Sequence, residues 1–235
     1  MKKTIGILGG MGPLATADLY RKLVTLTDAA SDNGHIRVYI DSNAAIPDRT
    51  AAILSGGPDP LPAMTDSLRK LEACGADCII MPCNTAHYFL PKLQALTETP
   101  FLSMLEAAAK ACRLRYPGKT AAIWGTKGTL ASGLYQKALE AEDVPYLVPN
   151  EVEQDALMRV IYQGVKAGAP PEAYRTDYLS VLDAMKAQGA DYYILGCTEL
   201  PLAAQLLASD APAVDPTEEL AKASIRFCGY AVKEA

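Results

Sequence analysis

The chain has 235 residues, half of them hydrophobic, with a formal net charge of −5 and a sequence pI near 5.1. That length suits two compact lobes or one large α/β domain, and the lack of a basic stripe argues against nucleic acid as a partner. No apolar run approaches the roughly 20 residues of a membrane span, so no membrane partner is expected.

Lys2-Lys3 precedes the apolar Ile5-Gly6-Ile7-Leu8. The run is short and broken by glycine, and it reads as a first strand rather than a signal peptide, with a cytoplasmic location expected. Gly9-Gly10-Met11-Gly12-Pro13 forms the turn after it, and a helix is predicted from Ala15 to about Thr27, with Leu19, Leu23 and Leu26 on one face. A second strand is predicted over 36–40. The stretch 44–62 reads as a loop near strand ends that carries Arg49, a place for substrate contacts. A helix over 63–74 leads to a buried strand and the turn at Cys83. A short helix from about Thr85, a strand at 101–103 and a helix through Cys112 follow. The second half is predicted as a strand at 119–124, a helix over 130–141, a strand at 144–148 and helices over 154–166 and 171–188. A second cysteine turn, a strand at 213–215 and a closing helix from Thr217 complete the chain. Strands alternating with helices specify parallel sheets covered by helices, which bind ligands at the carboxyl ends of their strands.

One stretch occurs twice. Gly75-Ala76-Asp77 leads through an apolar run to Pro82-Cys83-Asn84-Thr85, and Gly189-Ala190-Asp191 leads through another to Gly196-Cys197-Thr198-Glu199. Lys119-Thr120 also echoes Lys3-Thr4. Lys119 lies 116 residues after Lys3, and Cys197 lies 114 after Cys83. Offsets this close argue for internal duplication. The expected organisation is an N-terminal α/β lobe over 1–116 with Cys83 and a C-terminal lobe over 117–216 with Cys197. The closing segment 217–235 is expected to pack back on the first lobe. The two lobes are expected to be pseudo-symmetric, with a site in the cleft between them.

Six cysteines are present: Cys74, Cys78, Cys83, Cys112, Cys197 and Cys228. Cytosolic thiols stay reduced. With no Cys-x-x-Cys, and with His35 and His87 far apart, no metal is expected. Cys74, Cys78, Cys112 and Cys228 read as small buried hydrophobes. Cys83 and Cys197 are different, because they stand at matched turns beside hydroxyl and amide residues. A helix start behind each would favour a thiolate, and the N–H groups of Asn84, Thr85 and Ala86 would make an anion nest. Arg49 and Lys166 are separated by 117, close to the duplication offset, and could hold two carboxylates. His87, one helical turn after Cys83, either tunes the thiol or packs. Glu199 is either a polar wall of the site or a first-turn helix acid. Gly10-Met11-Gly12-Pro13-Leu14-Ala15 nearly matches a dinucleotide fingerprint. Pro13 and the parallel turn at Gly125-Thr126-Lys127-Gly128 suit a small anion better.

Two thiols without a metal or cofactor motif suit inversion of a stereocentre, one removing a proton from carbon and the other delivering one to the opposite face. At Gly9-Gly10-Met11-Gly12-Pro13, Pro82-Cys83-Asn84-Thr85-Ala86-His87 and Gly196-Cys197-Thr198-Glu199-Leu200 the chain resembles the aspartate/glutamate racemase superfamily, most of all the cofactor-independent aspartate racemases. Glutamate racemases carry Cys-Thr-His where this chain has Cys197-Thr198-Glu199. The resemblance implies an isomerase that needs no pyridoxal phosphate, acts on an amino-acid dicarboxylate and works as a homodimer. It implies Cys83 and Cys197 as acid and base, and Arg49 and Lys166 as substrate-carboxylate cations. Asn84, Thr85, Thr126 and Thr198 would be polar lining, with Met11 beside the substrate. Hydantoin racemase, maleate-type isomerase and a non-catalytic dicarboxylate-binding protein are the alternatives.

Overall fold

A computed structural model describes residues 2–233. Two compact units are present. One runs through Ala107 and resumes at Thr217; the other is Ala108–Pro216. Residues 234 and 235 of the expected closing segment lie outside the described residues.

The first unit is built on four parallel strands, β1 (Ile5–Gly9), β2 (Val38–Ser42), β3 (Cys78–Ile80) and β4 (Phe101–Leu102), in the order β2-β1-β3-β4. Its helices are α1 (Pro13–Leu26), α2 (Arg49–Leu54), α3 (Leu61–Ala73) and α4 (Leu90–Gln94). Helix α5 (Met104–Arg115) then runs through Ala107 and Ala108. The second unit has β5 (Ala121–Gly125), β6 (Tyr146–Leu147), β7 (Tyr192–Gly196) and β8 (Ala213–Val214), again all parallel and in the matching order β6-β5-β7-β8. Helices α6 (Lys127–Ala131), α7 (Leu134–Glu140), α8 (Glu151–Met158), α9 (Glu172–Ala187) and α10 (Glu199–Leu206) surround it, and α11 (Pro216–Phe227) returns to the first unit. Parallel strands joined by crossover helices are buried on both faces, which is why β1, β5 and β7 read as unbroken apolar runs.

The repeated Gly-Ala-Asp has a local cause in each unit. Gly75 (φ 85°) and Gly189 (φ 102°) take the left-handed conformation that ends α3 and α9, a place where glycine avoids the Cβ clash. The amides of Ala76 and Ala190 close the helix ends on Leu71 O and Met185 O. Asp77 Oδ2 then accepts from the Thr4 N–H at 2.7 Å, and Asp191 Oδ2 from the Thr120 N–H at 2.8 Å. Each repeat thus stops a helix and fastens the start of a central strand. The duplication read in the sequence is visible in strand order and in these bonds.

The cores differ in composition. Leu8, Met64, Leu68, Ile79, Met81 and Phe89 pack the first unit. Trp124, Leu157, Tyr174, Tyr178, Met185 and Tyr193 pack the second, with Trp124 edge-on to Tyr178 at 5.1 Å and its indole N–H donated to Met185 Sδ at 3.3 Å. Such an aromatic pair adds about 0.5–1.5 kcal/mol beyond burial. The C-terminal segment packs within the first unit. The Lys3 N–H donates to Cys228 O, Thr27 bridges to Val232, and the buried thiols of Cys78 and Cys228 lie 4.0 Å apart.

Local differences from the sequence reading have physical reasons. Arg49 heads a short helix rather than lying in a loop, because Asp48 caps it by accepting from the Ala51 N–H at 2.7 Å. The expected helix over 130–141 is two helices, parted at Gly133 (φ 67°). The expected helix over 154–166 starts earlier, at Glu151, where Asn150 and Glu153 form a capping box, and passes into a π-helical stretch, Arg159–Val165. Cys74 is exposed rather than buried, because it caps the C-terminus of α3. No helix among the described residues is long and apolar enough to cross a membrane.

Candidate active site

In each unit a glycine turn and a cysteine follow the carboxyl ends of the two central strands, while Arg49 heads α2 and Lys166 ends the π-helical stretch. β1 pairs with β3 in a register that sets Ile7 beside Ile80, and Gly10 and Cys83 each follow three residues later, with a tight turn in which the Cys83 N–H donates to Met81 O at 2.9 Å. β5 pairs with β7 so that Gly125 stands beside Gly196, and Thr126 comes level with Cys197. The two glycine turns and the two cysteines therefore occupy corresponding places.

The turn after β1 is packed by the chain itself. A Cβ on Gly10 (φ 88°) would meet the backbone of Asn43 at 2.3 Å. The close approach that glycine permits here is thus used by the segment after β2. The Gly10 N–H donates to Thr16 Oγ1 at 2.9 Å, fixing the turn to α1. Arg49 is buried, with 9 % of its surface exposed. Its Nη1 donates to Ile46 O and Pro47 O at 3.2 and 2.9 Å, and its Nη2 to Met11 O at 2.9 Å, while its Nε has no hydrogen-bond partner. The guanidinium therefore braces the Met11 turn.

Cys83 is buried, and Met11, Ile46, Ala86 and Phe89 belong to its packed cluster. Asn84 and Thr85 are also buried, and a 3-10 turn, Thr85–Phe89, follows. His87 lies beneath. Its Nδ1 is 2.9 Å from Cys83 O, and its Nε2 accepts from the Met104 N–H at 3.1 Å. That pair of partners defines the neutral tautomer with hydrogen on Nδ1. Burial pushes its pKa down to about 4, outweighing the Cys83 and Asn84 carbonyls that favour the charged form. Of the two readings of His87, the structure supports the packing role: the ring ties the thiol's backbone to the start of α5.

The second unit surrounds its thiol with charge. Cys197 Sγ donates to Glu199 Oε2 at 2.9 Å, and Thr198 Oγ1 donates to the same oxygen at 3.2 Å. Glu199 Oε1 lies 3.9 Å from Lys166 Nζ, and Lys166 Nζ lies 4.4 Å above the ring of Tyr162. Thr198 stands at the N-cap position of α10 without a side-chain capping bond, and Glu199 is the helix's first residue. Thr126 is buried at the head of α6, where Oγ1 accepts from the Thr129 N–H at 3.1 Å. Gly196 is required on steric grounds, since a Cβ there would meet Trp124 O at 2.6 Å and the Tyr135 ring at 2.9 Å.

The structure thus brings Met11 and Arg49 together, and Lys166, Cys197, Thr198 and Glu199 together. It assigns Thr126 and Asp48 to helix caps. Tyr162 and Tyr135 were missed in the sequence. Tyr162 precedes Lys166 by four residues, a same-face helical spacing that could have found it. Tyr135 carries no such signal.

Comparison with known proteins gives the family. The family model for Asp/Glu/hydantoin racemases matches residues 8–224. The chain belongs to that family. It is similar to the structure of Picrophilus torridus aspartate racemase, with TM-score 0.85 and 31 % identity over 98 % of this chain and 96 % of that one. It is 29 % identical over 229 residues to the broad specificity amino-acid racemase RacX of Bacillus subtilis, covering 94 % of this chain and 96 % of that protein. The glutamate racemase of Corynebacterium glutamicum is 32 % identical over 164 residues, covering 67 % of this chain but only 58 % of the relative.

Proposed function

We propose that the protein interconverts the enantiomers of aspartate, and to some extent glutamate, with Cys83 and Cys197 as the acid and base and without pyridoxal phosphate or metal. One observation carries this reading: each unit presents a buried thiol on the turn after the corresponding strand of a sheet with the same order. One thiolate takes the α-hydrogen as a proton, leaving its bonding pair delocalised into the carboxylate. The other thiol returns a proton to the opposite face, and a second turnover runs the roles in reverse. The developing negative charge needs fixed donors, worth about 3–4 kcal/mol each in comparable holes. Asn84, Thr85 and Thr198 are assigned that lining. Met11 and the backbone at Ala86 border the substrate, Thr126 holds the matching turn, and Arg49 and Lys166 attract its carboxylates. The same reading makes the protein a cytoplasmic homodimer, which sedimentation would check for assembly.

The test is α-hydrogen exchange. Purified protein is incubated in heavy water with L-aspartate and, separately, L-glutamate, without added cofactor. Appearance of α-deuterated D-aspartate is the expected result. No exchange from either enantiomer, with all thiols reduced, would overturn the reading. The similarity to a broad specificity racemase favours adding a panel of monocarboxylic amino acids. One methylene changes pocket binding by only about 1–3 kcal/mol, so glutamate turnover is expected to be weaker but measurable.

A further inference from the structure

The thiol of Cys197 has an acidic neighbour that the racemase reading does not use. Glu199 receives the Cys197 hydrogen at 2.9 Å through Oε2 and faces Lys166 at 3.9 Å through Oε1. Its side chain is largely buried, at 11 % exposure. A carboxylate that accepts from S–H stabilises the neutral thiol, and a negative charge beside the sulfur opposes the thiolate. The corresponding position on the first turn is Thr85, which carries no charge.

We infer that Glu199 is a positioning residue for Cys197: it fixes the direction of the S–H and holds this thiol protonated, with Lys166 as the counter-charge that limits the effect. The inference rests on the racemase reading for its purpose, but not for its test. It gives the two thiols unequal resting states. Cys197 rests as the protonated member of the pair, with its hydrogen held by a fixed acceptor. When substrate carboxylate draws Lys166 toward itself, Glu199 loses part of its counter-charge and holds the thiol hydrogen more firmly. The protonation state of Cys197 is then coupled to occupancy of the cation. From α7, Tyr135 is fully buried, and burial first, then the charges of Cys112, Asp215 and Cys197, push its phenol well above the ordinary range, so it stays neutral. Thr198 donates to the same carboxylate oxygen as the thiol, at 3.2 Å.

The test reads the thiols themselves. Wild type, Glu199→Gln and Lys166→Met are alkylated with iodoacetamide across pH 5–10, and modification at Cys197 and Cys83 is followed separately by peptide mass spectrometry. Glu199→Gln keeps the shape of the side chain and removes its charge. It is expected to lower the pH midpoint for Cys197 by one unit or more, about a tenfold rise in labelling at neutral pH, and to leave Cys83 unchanged. Lys166→Met is expected to move Cys197 in the opposite direction. Glu199→Asp, which keeps the charge, holds the midpoint near wild type and serves if the glutamine variant misfolds. Equal midpoints in wild type and Glu199→Gln, or shifts of the same sign in the glutamine and methionine variants, would overturn the inference. Since no substrate is present, the result stands or falls separately from racemase activity. Where activity is found, the alkaline limb of the kcat/KM profile moves to lower pH in Glu199→Gln, a change that simple loss of packing does not produce.

Discussion

Cys83 and Cys197 close strands that hold the same place in two sheets of the same order, yet their surroundings have diverged. Aligned from the cysteine, Asn84, Thr85, Ala86 and His87 of the first turn answer to Thr198, Glu199, Leu200 and Pro201 of the second. The first turn is fixed by a neutral buried imidazole, while the Arg49 guanidinium braces the neighbouring Met11 turn through a backbone carbonyl. The second is fixed by a carboxylate on the thiol, with an ammonium near it. Duplication preserved the backbone that places a thiol at each strand end. The side chains that would govern its proton have been free to differ. A two-base reaction alternates the charge between the two thiols, so unequal surroundings bear on which state each thiol rests in and not on whether the reaction can run.

The largest expected effect separates the two thiols by function. General acid–base groups contribute about 10²–10⁴-fold, so Cys83→Ser and Cys197→Ser should each lose racemisation by at least two orders of magnitude. Each variant keeps one thiol. Wash-in of α-deuterium without inversion should therefore survive for one enantiomer in Cys83→Ser and for the other in Cys197→Ser, read by chiral chromatography with mass detection. Full activity in both variants would remove the thiols from the chemistry.

The glycines test the backbone on which both turns depend. Gly10→Ala meets the Asn43 backbone at 2.3 Å and imposes a side chain at φ 88°. Overpacking and the left-handed conformation together should cost about 3 kcal/mol or more. Gly196→Ala meets Trp124 O at 2.6 Å without a positive φ, and about 1–3 kcal/mol is expected. Urea unfolding of both variants would rank them, and the reverse order would mean that the second turn is the more rigid.

His87 makes the first turn sensitive to acid. Its folded pKa, near 4, lies below the ordinary 6.5. As the pH falls through that window, the unfolded chain binds a proton that the folded chain refuses, so stability present above pH 6.5 is lost progressively toward pH 4. The contribution reaches about 3 kcal/mol at the acid end. His87→Gln should flatten that part of the stability–pH curve. At the matching position Pro201 cannot titrate, so the second turn lacks this dependence. An unchanged slope in the glutamine variant would place the acid sensitivity elsewhere.

Much of this architecture was legible in the chain, and the parts that were not share a cause. The runs at Ile5–Gly9 and Tyr192–Gly196 are apolar because both sheet faces are covered, and the Gly-Ala-Asp repeat marks the same helix stop twice. Helix breaks were harder to read. Gly133 was visible, but a lone glycine inside a helical pattern does not announce a left-handed turn. The Asn150-Glu153 capping box was a signal in plain view and fixes the start of α8 earlier than periodicity did. What sequence could not show is how side chains bond across distance. The Met104 amide that holds His87 lies 17 residues away, and the Met11 carbonyl that holds Arg49 lies 38 away. Glu199 is two residues from Cys197, yet whether it faces solvent or sulfur depends on a rotamer set by packing.

The smallest effect concerns how each unit begins its first helix after the glycine turn. In the first unit, the Gly12 N-cap has no side-chain acceptor, and α1 opens on Pro13, whose missing N–H removes one of the donors a cap would serve. Thr16 reaches back from within the helix instead, accepting from the Gly10 N–H and donating to Gly12 O. In the second unit the hydroxyl stands at the cap itself, on Thr126, and accepts from the Thr129 N–H. Thr126→Ala leaves that buried donor without its acceptor and should cost about 1 kcal/mol, whereas Thr126→Ser should cost only a few tenths. The check is a lowered urea midpoint at constant m-value for the alanine variant alone. Equal stability of the alanine and serine variants would mean that the loop backbone, not the hydroxyl, holds the start of α6, and the two units would then differ less than their caps suggest.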